Sequence, residues 1–478
     1  MGNLQQNKEE ASLKKRYSKD VSFGAMDFYF KEKMQISKEY KVRSPPLGIG
    51  PNGELREAYH TTLRQKRLIK VIYKYQMSDA ELERIKEEIS ILQELNHPNI
   101  MKIYETSEDK LYIYIIMEHF QSRVLFDRIR ERGPFTEAQA IKILKQLVSV
   151  LKYLHIKHIA YRDLKLENLL YDGSDVKLMD FSLAVKSFKK KSLKDIVGSP
   201  YYIAPEVLKG KHDKRCDVWS FGVVAYIMMT GRAPFNGSTT GQILDNVVNK
   251  EPDYDPSTLS PYAIDLLKKI LVKRPSKRAK LTDIEEHRLF TNIEGIEKQC
   301  IIDSFIEVWG NMLNFRYQSQ FQVAIYLFLF NNVIDRNRIK NVNELFRFID
   351  KNGEGHITKN ELAKFCREYN IPMNIGEIDT VFAKLSFDGD GILSYNDFLA
   401  GAFNQKQLLS EENIKKGFRV FDLDESGSIS LEEFASIFPY VEKNQLENFL
   451  REFDVNGNGK IDLSEFRALL TAMIKNQL

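Results

Sequence analysis

Tyr161-Arg162-Asp163-Leu164-Lys165-Leu166-Glu167-Asn168 sets a carboxylate, an ammonium and an amide within one short stretch. Upstream lie Gly48-Ile49-Gly50-Pro51-Asn52-Gly53 and, 17 residues past Gly53, Lys70. Glu88 follows, and downstream come Asp180-Phe181-Ser182 and Ala204-Pro205-Glu206. Local patterns place these residues on elements. Leu68 to Tyr73 and Leu111 to Met117 are apolar or β-branched runs of strand length, while Leu82, Ile85, Ile89 and Leu92 give Ala80 to Leu95 helical spacing. Thr136 and Gln139 form a capping box ahead of Ile141, Leu144, Leu147, Val148 and Leu151. The outline is a small β-rich lobe followed by a larger helical one.

A glycine-rich turn alone says little, because such turns are common. In this order and at these intervals, however, the elements match the protein-kinase signature set. Residues 40 to about 290 resemble a eukaryotic protein kinase, including Gly198-Ser199-Pro200-Tyr201-Tyr202, Asp217-Val218-Trp219-Ser220-Phe221-Gly222 and Arg278. Transfer of a γ-phosphoryl group needs positioning and charge neutralisation more than covalent help. The resemblance implies that Gly48, Gly50, Gly53, Leu55 and Glu118 line an ATP site, with Lys70 on the phosphates and Glu88 holding Lys70. It implies Asp163 as the group that orients the attacking hydroxyl, Lys165 as a neutralising cation, and Asn168 and Asp180 as Mg²⁺ ligands. Lys165, two residues past Asp163, resembles the serine/threonine class, so the implied partners are proteins with Ser or Thr acceptors. Glu206 and Arg278 are expected to pair as a structural brace.

Some positions depart from that pattern. Leu68 replaces a small residue over the adenine, Val124 replaces a glutamate near the ribose, Tyr161 replaces histidine and Ser182 replaces glycine. None removes a group that touches transferring charge. Arg162 beside Asp163 offers a seat for a phosphate on the activation segment, which carries Lys186, Lys189, Lys190, Lys191 and Lys194 among Ser187, Ser192 and Ser199. A solvated basic run is the alternative.

Four stretches of the last third fit a calcium loop: oxygen ligands at positions 1, 3, 5, 7, 9 and 12, glycine at 6 and an apolar residue at 8. The first has Asp350, Asn352, Glu354, Gly355, His356, Ile357, Thr358 and Glu361. The third has Asp422, Asp424, Ser426, Gly427, Ser428, Ile429, Ser430 and Glu433. The fourth has Asp454, Asn456, Asn458, Gly459, Lys460, Ile461, Asp462 and Glu465. His356, Ser428 and Lys460 would contribute main-chain carbonyls. In the second, Asp388, Asp390 and Gly391 persist, but Ser386 replaces the first aspartate and Asp397 the last glutamate. One charge and one carbon of reach are lost, so this loop is expected to bind calcium poorly or only to support the first. Starts spaced by 36, 36 and 32 residues make an internal repeat arranged as two pairs.

Residues 341–478 carry a net charge of −8 against +12 for the rest, out of +4 overall, which suits a cation-binding tail. Nothing points to nucleic acid as a partner. Cys216, Cys300 and Cys366 are too few and scattered for a disulfide framework, so a reducing compartment is expected. The longest apolar run, Val323 to Phe330, is far shorter than the roughly 20 residues of a membrane helix. Residues 1–39 read as a polar arm without structure, in which Gly2 with Lys14, Lys15 and Arg16 could give a weak acyl and electrostatic membrane anchor to a cytoplasmic protein.

Between kinase and calcium loops, 291–336 is apolar, with Phe305, Val308, Trp309 and Met312 on one helical face and Phe321, Ile325, Phe328 and Leu329 on another. The whole from 40 to 478 resembles the calcium-dependent protein kinases of plants and protists. That resemblance implies an α+β chain: a two-lobed kinase fold at 40–290, an autoinhibitory junction at 291–336 and an all-α calmodulin-like domain. Its four EF-hands span 337–372, 373–408 (degenerate), 409–444 and 445–478. ATP, Mg²⁺ and Ca²⁺ follow as cofactors, and the junction helix as an intramolecular partner that leaves the substrate cleft when calcium binds, with Phe315, Phe321, Ile325 and Phe328 as anchors. The competing readings are a calcium-dependent scaffold on an inactive kinase fold and a calcium buffer with an appended module.

Overall fold

The computed structural model describes residues 29–30, 36–50, 53–61, 65–186, 193–291, 296–315, 325–330, 340–386, 389–438, 441 and 443–475. The small lobe is a twisted sheet of β1 (Tyr29–Phe30), β2 (Tyr40–Val42), β3 (Gly48–Gly50), β4 (Gly53–His60), β5 (Lys66–Tyr73), β6 (Ile103–Glu108) and β7 (Tyr112–Glu118). Its order is β1-β6-β7-β5-β4-β2, with β3 folded back on β4. Side chains alternate along β5, so Lys70 faces the interlobe side while Ile69 and Val71 face away. Those two join Tyr40, Ala58 and Ile116 in a separate apolar cluster against which Ile36 packs. Residues 29–30 and 36–39 therefore correct the expectation of an unstructured arm to residue 39. The isolated Ile36 and Tyr40 gain a surface to cover only once the sheet has formed. The rest of the arm, with Gly2, Lys14, Lys15 and Arg16, lies outside the described residues.

The helix Asp79–Gln93 starts at a capping box between Ser78 and Glu81 and buries Glu88, Ile91 and Leu92 on one face. The large lobe is built around Glu137–Ile156, whose predicted Thr136/Gln139 capping box is present. Arg215–Thr230 is buried on almost every face, as expected of an apolar helix at the centre of a core. Cys216 and Cys366 are buried thiols without disulfide partners, and the side chain of Cys300 lies outside the described residues.

Among the described residues after 296, helices alternate with loops that carry short paired strands. The apolar residues at position 8 meet across each pair of loops: Ile357 opposes Leu393 and Ile429 opposes Ile461. The junction helix Ile296–Asn314 and the helical stretch 325–330 share one apolar core with both EF-hand pairs. Among the described residues no helix is long and apolar enough to cross a membrane.

Candidate active site and calcium loops

The phosphate-facing residues converge between the lobes. Lys70 Nζ is 2.8 Å from Glu88 Oε1 and 3.4 Å from Asp180 Oδ1, so the helix carrying Glu88 is seated against the sheet. Burial alone would lower the pKa of Lys70, but the charges of Glu88 and Asp180 outweigh it and raise it. Burial likewise pushes Asp180 up, and the Lys70 ammonium with the Ser182 hydrogen bonds carry it below the usual carboxylate range. Both groups therefore stay ionised across the neutral range. Gly53 has a steric reason to be glycine, since a Cβ there would overlap the Val71 carbonyl. Pro51 and Asn52 at the tip of the turn lie outside the described residues.

The 161–168 stretch draws its charges to one point. Asp163 Oδ2 accepts from Lys165 Nζ at 2.7 Å and Asn168 Nδ2 at 2.9 Å, and Oδ1 accepts from Ser199 Oγ at 3.2 Å. Arg162 and Asp180 both adopt positive φ, 68° and 59°, a left-handed conformation that non-glycine residues rarely take. Asp217 over-determines the first of these: fully buried, it accepts from the amides of Tyr161 and Arg162 at 3.0 and 2.8 Å and contacts His155 Nε2 at 2.9 Å. The sequence placed Asp217 inside a motif without giving it this task. Tyr161 fills its departure from pattern by packing edge-on against Phe181, with ring centroids 5.1 Å apart.

Two expectations change in detail. The Glu118 carboxylate is already engaged: Oε1 accepts from the Lys102 amide and from Lys177 Nζ, each at 2.7 Å, while the Glu118 amide donates to the Lys102 carbonyl at 2.9 Å. A charged group in the segment joining the lobes finds its partner in the large lobe, and no local pattern announces that. Arg162 already has an acidic neighbour, since its Nη1 lies 3.5 Å from Asp195 Oδ2, and its Nε donates to the Leu183 carbonyl at 2.7 Å. Ser187, Ser192 and Lys189 to Lys191 lie outside the described residues. Leu55 is half-buried opposite Lys70 in the strand register, and Leu68 is opposite Met117.

The donor set fits magnesium. One carboxylate, Asp180, stands 3.4 Å from the Lys70 ammonium, and the amide-bearing Asn168 meets the residue before it, its main-chain carbonyl accepting from the Met179 amide at 3.0 Å. Mg²⁺ characteristically takes one or two carboxylates while keeping several waters. The calcium loops pass a similar test. In the third, carboxylate oxygens of Asp422, Asp424 and Glu433 lie within 4.8 Å of one another. In the first, Glu361 Oε1 is buried with no hydrogen-bond partner, and burial pushes the Asp350 carboxyl up to about 7. An uncompensated buried carboxylate is what a divalent cation relieves. Asp350 Oδ1 accepts from the amides of Gly353 and Glu354, and Oδ2 from Gly355, all at 3.0 Å. Asn352 Oδ1 caps the Glu354 amide, while His356 and Ser428 open the short strands of their loops and Lys460 stands just before the strand Ile461–Asp462. In the fourth, Asp454 accepts from Gly457, Asn458 and Gly459, Asn456 from Asn458, and Glu465 from Asp462.

The second loop is wired differently. Ser386 Oγ donates to Asp390 Oδ1 and accepts from the Gly391 amide, each at 2.9 Å, so a hydroxyl replaces the first carboxylate without disrupting the turn. Asp397 caps the Ser394 amide at 2.8 Å. Asp388 lies outside the described residues. Ser386→Asp with Asp397→Glu is therefore expected to add one calcium equivalent in equilibrium dialysis of the full chain. Unchanged stoichiometry would show that more than these two groups disables the loop.

The junction's apolar face lies against the calcium-loop helices. Phe305 meets Phe365 at 5.2 Å, and Phe328 meets Phe421 and Phe438 at 5.3 and 5.8 Å. Asn311 Nδ2 and Tyr326 Oη donate to the carbonyls of Ala402 and Ala400, each at 2.8 Å. Phe315 and Ile325 are fully buried, and Phe321 lies outside the described residues.

Comparison with known proteins gives the class first. The protein kinase domain family matches residues 41–290, an EF-hand domain pair matches 339–403, and further EF-hand families match 414–438 and 445–473. Calcium-dependent protein kinase 5 of Plasmodium falciparum is 34% identical over 416 residues, covering 85% of this chain and 72% of its own. Calcium-dependent protein kinase 3 of Plasmodium yoelii yoelii is 33% identical over 439 residues, 90% and 80% of the two chains. Calcium-dependent protein kinase 4 of Plasmodium berghei is 33% identical over 416 residues, 82% and 78%. The chain belongs to the calcium-dependent protein kinase family: it is a calcium-activated serine/threonine kinase that uses ATP with Mg²⁺, binds Ca²⁺ through EF-hands and acts on proteins.

Proposed function

We propose that this chain phosphorylates serine and threonine hydroxyls only while the junction 291–336 is held by its filled calcium loops, and that the emptied loops release the junction into the substrate cleft. In the reaction Asp163 orients the acceptor hydroxyl and takes its proton, and Lys165 neutralises charge on the transferring group. Asn168 and Asp180 hold Mg²⁺, while Lys70, fixed by Glu88, holds the nucleotide phosphates. ATP·Mg²⁺ supplies the phosphoryl group. The observation that carries the reading is the pairing of two states: the junction face of Phe305, Trp309, Phe315 and Phe328 lies in the calmodulin-like core, and the Lys70–Glu88 pair is closed. An apolar helix that leaves this groove needs another apolar partner. The placement of every charge-bearing group around Asp163 weighs against the scaffold reading.

Peptide phosphorylation by the full chain should fall at least about tenfold in chelator, and a chain lacking 300–478 should be active without calcium. A folded truncation with negligible activity would remove autoinhibition from the account. We also place the protein in the cytoplasm, with Gly2 and the basic arm giving weak membrane attachment. Co-sedimentation with anionic vesicles should then rise on N-myristoylation, and equal sedimentation with and without the acyl chain would rule this out.

A further inference from the structure

The first calcium loop differs from the other three in what it touches. At the sharp turns of the second, third and fourth loops, Gly391, Gly427 and Gly459 face open space. In the first, a Cβ on Gly355 would overlap the Tyr153 ring, and one on Gly353 would sit 2.9 Å from Lys152 Cβ. Lys152 Nζ donates to the Lys351 carbonyl at 2.6 Å. Arg347, on the helix entering the loop, donates to Asn99 Oδ1 at 3.0 Å and meets Asp175 Oδ1 at 3.3 Å. Lys152, Tyr153 and Asp175 belong to the large kinase lobe, and Asn99, in the stretch between the helix Asp79–Gln93 and β6, is fastened to that lobe by donating to Gln146 Oε1 and the Val176 carbonyl, each at 2.7 Å.

The internal wiring of the loop differs as well. Glu433 Oε1 accepts from the amides of Leu423 and Asp424, and Glu465 Oε1 from Val455 and Asn456, the second and third positions of their loops. Glu361 Oε1, the corresponding atom of the first loop, is buried without a partner. The peptide that would serve it is engaged elsewhere: the Lys351 amide donates to the Ile349 carbonyl at 2.8 Å, and the Lys351 carbonyl is taken by Lys152. A cation entering the third or fourth loop must compete with those amides. One entering the first meets an oxygen already stripped of donors, whose burial costs free energy until a cation compensates it.

We propose that the large kinase lobe is an affinity element for the first calcium loop: contact with Lys152, Tyr153, Asn99 and Asp175 raises calcium affinity there, and calcium in that loop tightens the contact in return. The second half follows from the first, because coupling between two binding events is reciprocal. The lobe therefore senses occupancy of this loop directly, in addition to any movement of the junction. The inference rests on calcium binding at the first loop and does not require autoinhibition.

Calorimetric calcium titration of the full chain tests it. Arg347→Glu and Lys152→Met should each weaken one site by about fivefold or more, leaving the third and fourth loops unchanged. Arg347→Glu with Asp175→Arg should restore the affinity, and the weakening should vanish in a Glu361→Gln background. Unchanged isotherms in both single variants, or weakening that persists with Glu361→Gln, would overturn the docking alone. Identical stoichiometry in wild type and Glu361→Gln would overturn calcium binding at the loop and the docking with it. Hydrogen exchange supplies a reading without a lobe variant: calcium should protect the end of the helix Glu137–Ile156 in wild type but not in Glu361→Gln, and equal protection in both would overturn the proposal.

Discussion

Asp163→Asn is expected to lower peptide phosphorylation at saturating calcium by about 10²–10⁴-fold, the usual contribution of a positioned general base. Asparagine matches aspartate in shape, so the change removes charge and basicity more than packing. Asp163 accepts from Lys165, Asn168 and Ser199 at once, which fixes its carboxylate before any substrate arrives. An uncharged amide can neither take the acceptor proton nor pair with the Lys165 ammonium. ATP·Mg²⁺ binding, which the proposed roles assign to Lys70 and Asp180, should change little by comparison. Single-turnover phosphorylation alongside nucleotide titration separates the two effects, and a rate within about threefold of wild type would remove Asp163 from the chemistry.

Arg278→Met should produce the largest loss of stability. The guanidinium is 1% exposed, pairs with both carboxylate oxygens of Glu206 at 2.6 and 2.9 Å, and donates to the carbonyls of Arg215 and Val272. Removing one partner of such a pair leaves an uncompensated buried charge and costs about 3–5 kcal/mol. The kinase-domain unfolding midpoint should fall on the order of 10 °C. Replacing Glu206 by leucine in the same chain should recover much of this, because the stranded carboxylate is the main penalty. If the single variant melts with wild type, the pair carries no net stabilisation.

What the sequence disclosed, and what it hid, follows from the range of the forces involved. Lys70, Glu88, Asp163, Asn168 and Asp180 are legible because charge handling restricts residue type and the chain order restricts spacing. The strand pairing of Ile357 with Leu393 is legible for the same reason, since calcium-loop geometry dictates both positions. Glu118 could be placed in the chain but not in its partnership, because Lys177 reaches it across 59 residues. The strap at Ile36 and Tyr40 escaped notice since two apolar residues in a polar stretch have no periodicity. Contact between Gly355 and Tyr153 was hidden for a different reason: both residues already had sufficient local explanations, one as a turn glycine and one as a core aromatic.

The shared core of the junction and both EF-hand pairs also governs the shape of the calcium response. Phe328 packs on Phe421 and Phe438 of the third EF-hand, while Phe330, two residues on, packs on Phe403 of the second. Neither pair can rearrange its apolar surface without disturbing contacts that the other makes to the same short stretch. Ions entering one half therefore alter the free energy available to ions entering the other. The sign of that linkage is what a calcium titration reads: a Hill coefficient above one, and a narrow calcium interval for activation, if filling one half favours the other, and a coefficient below one if it opposes it.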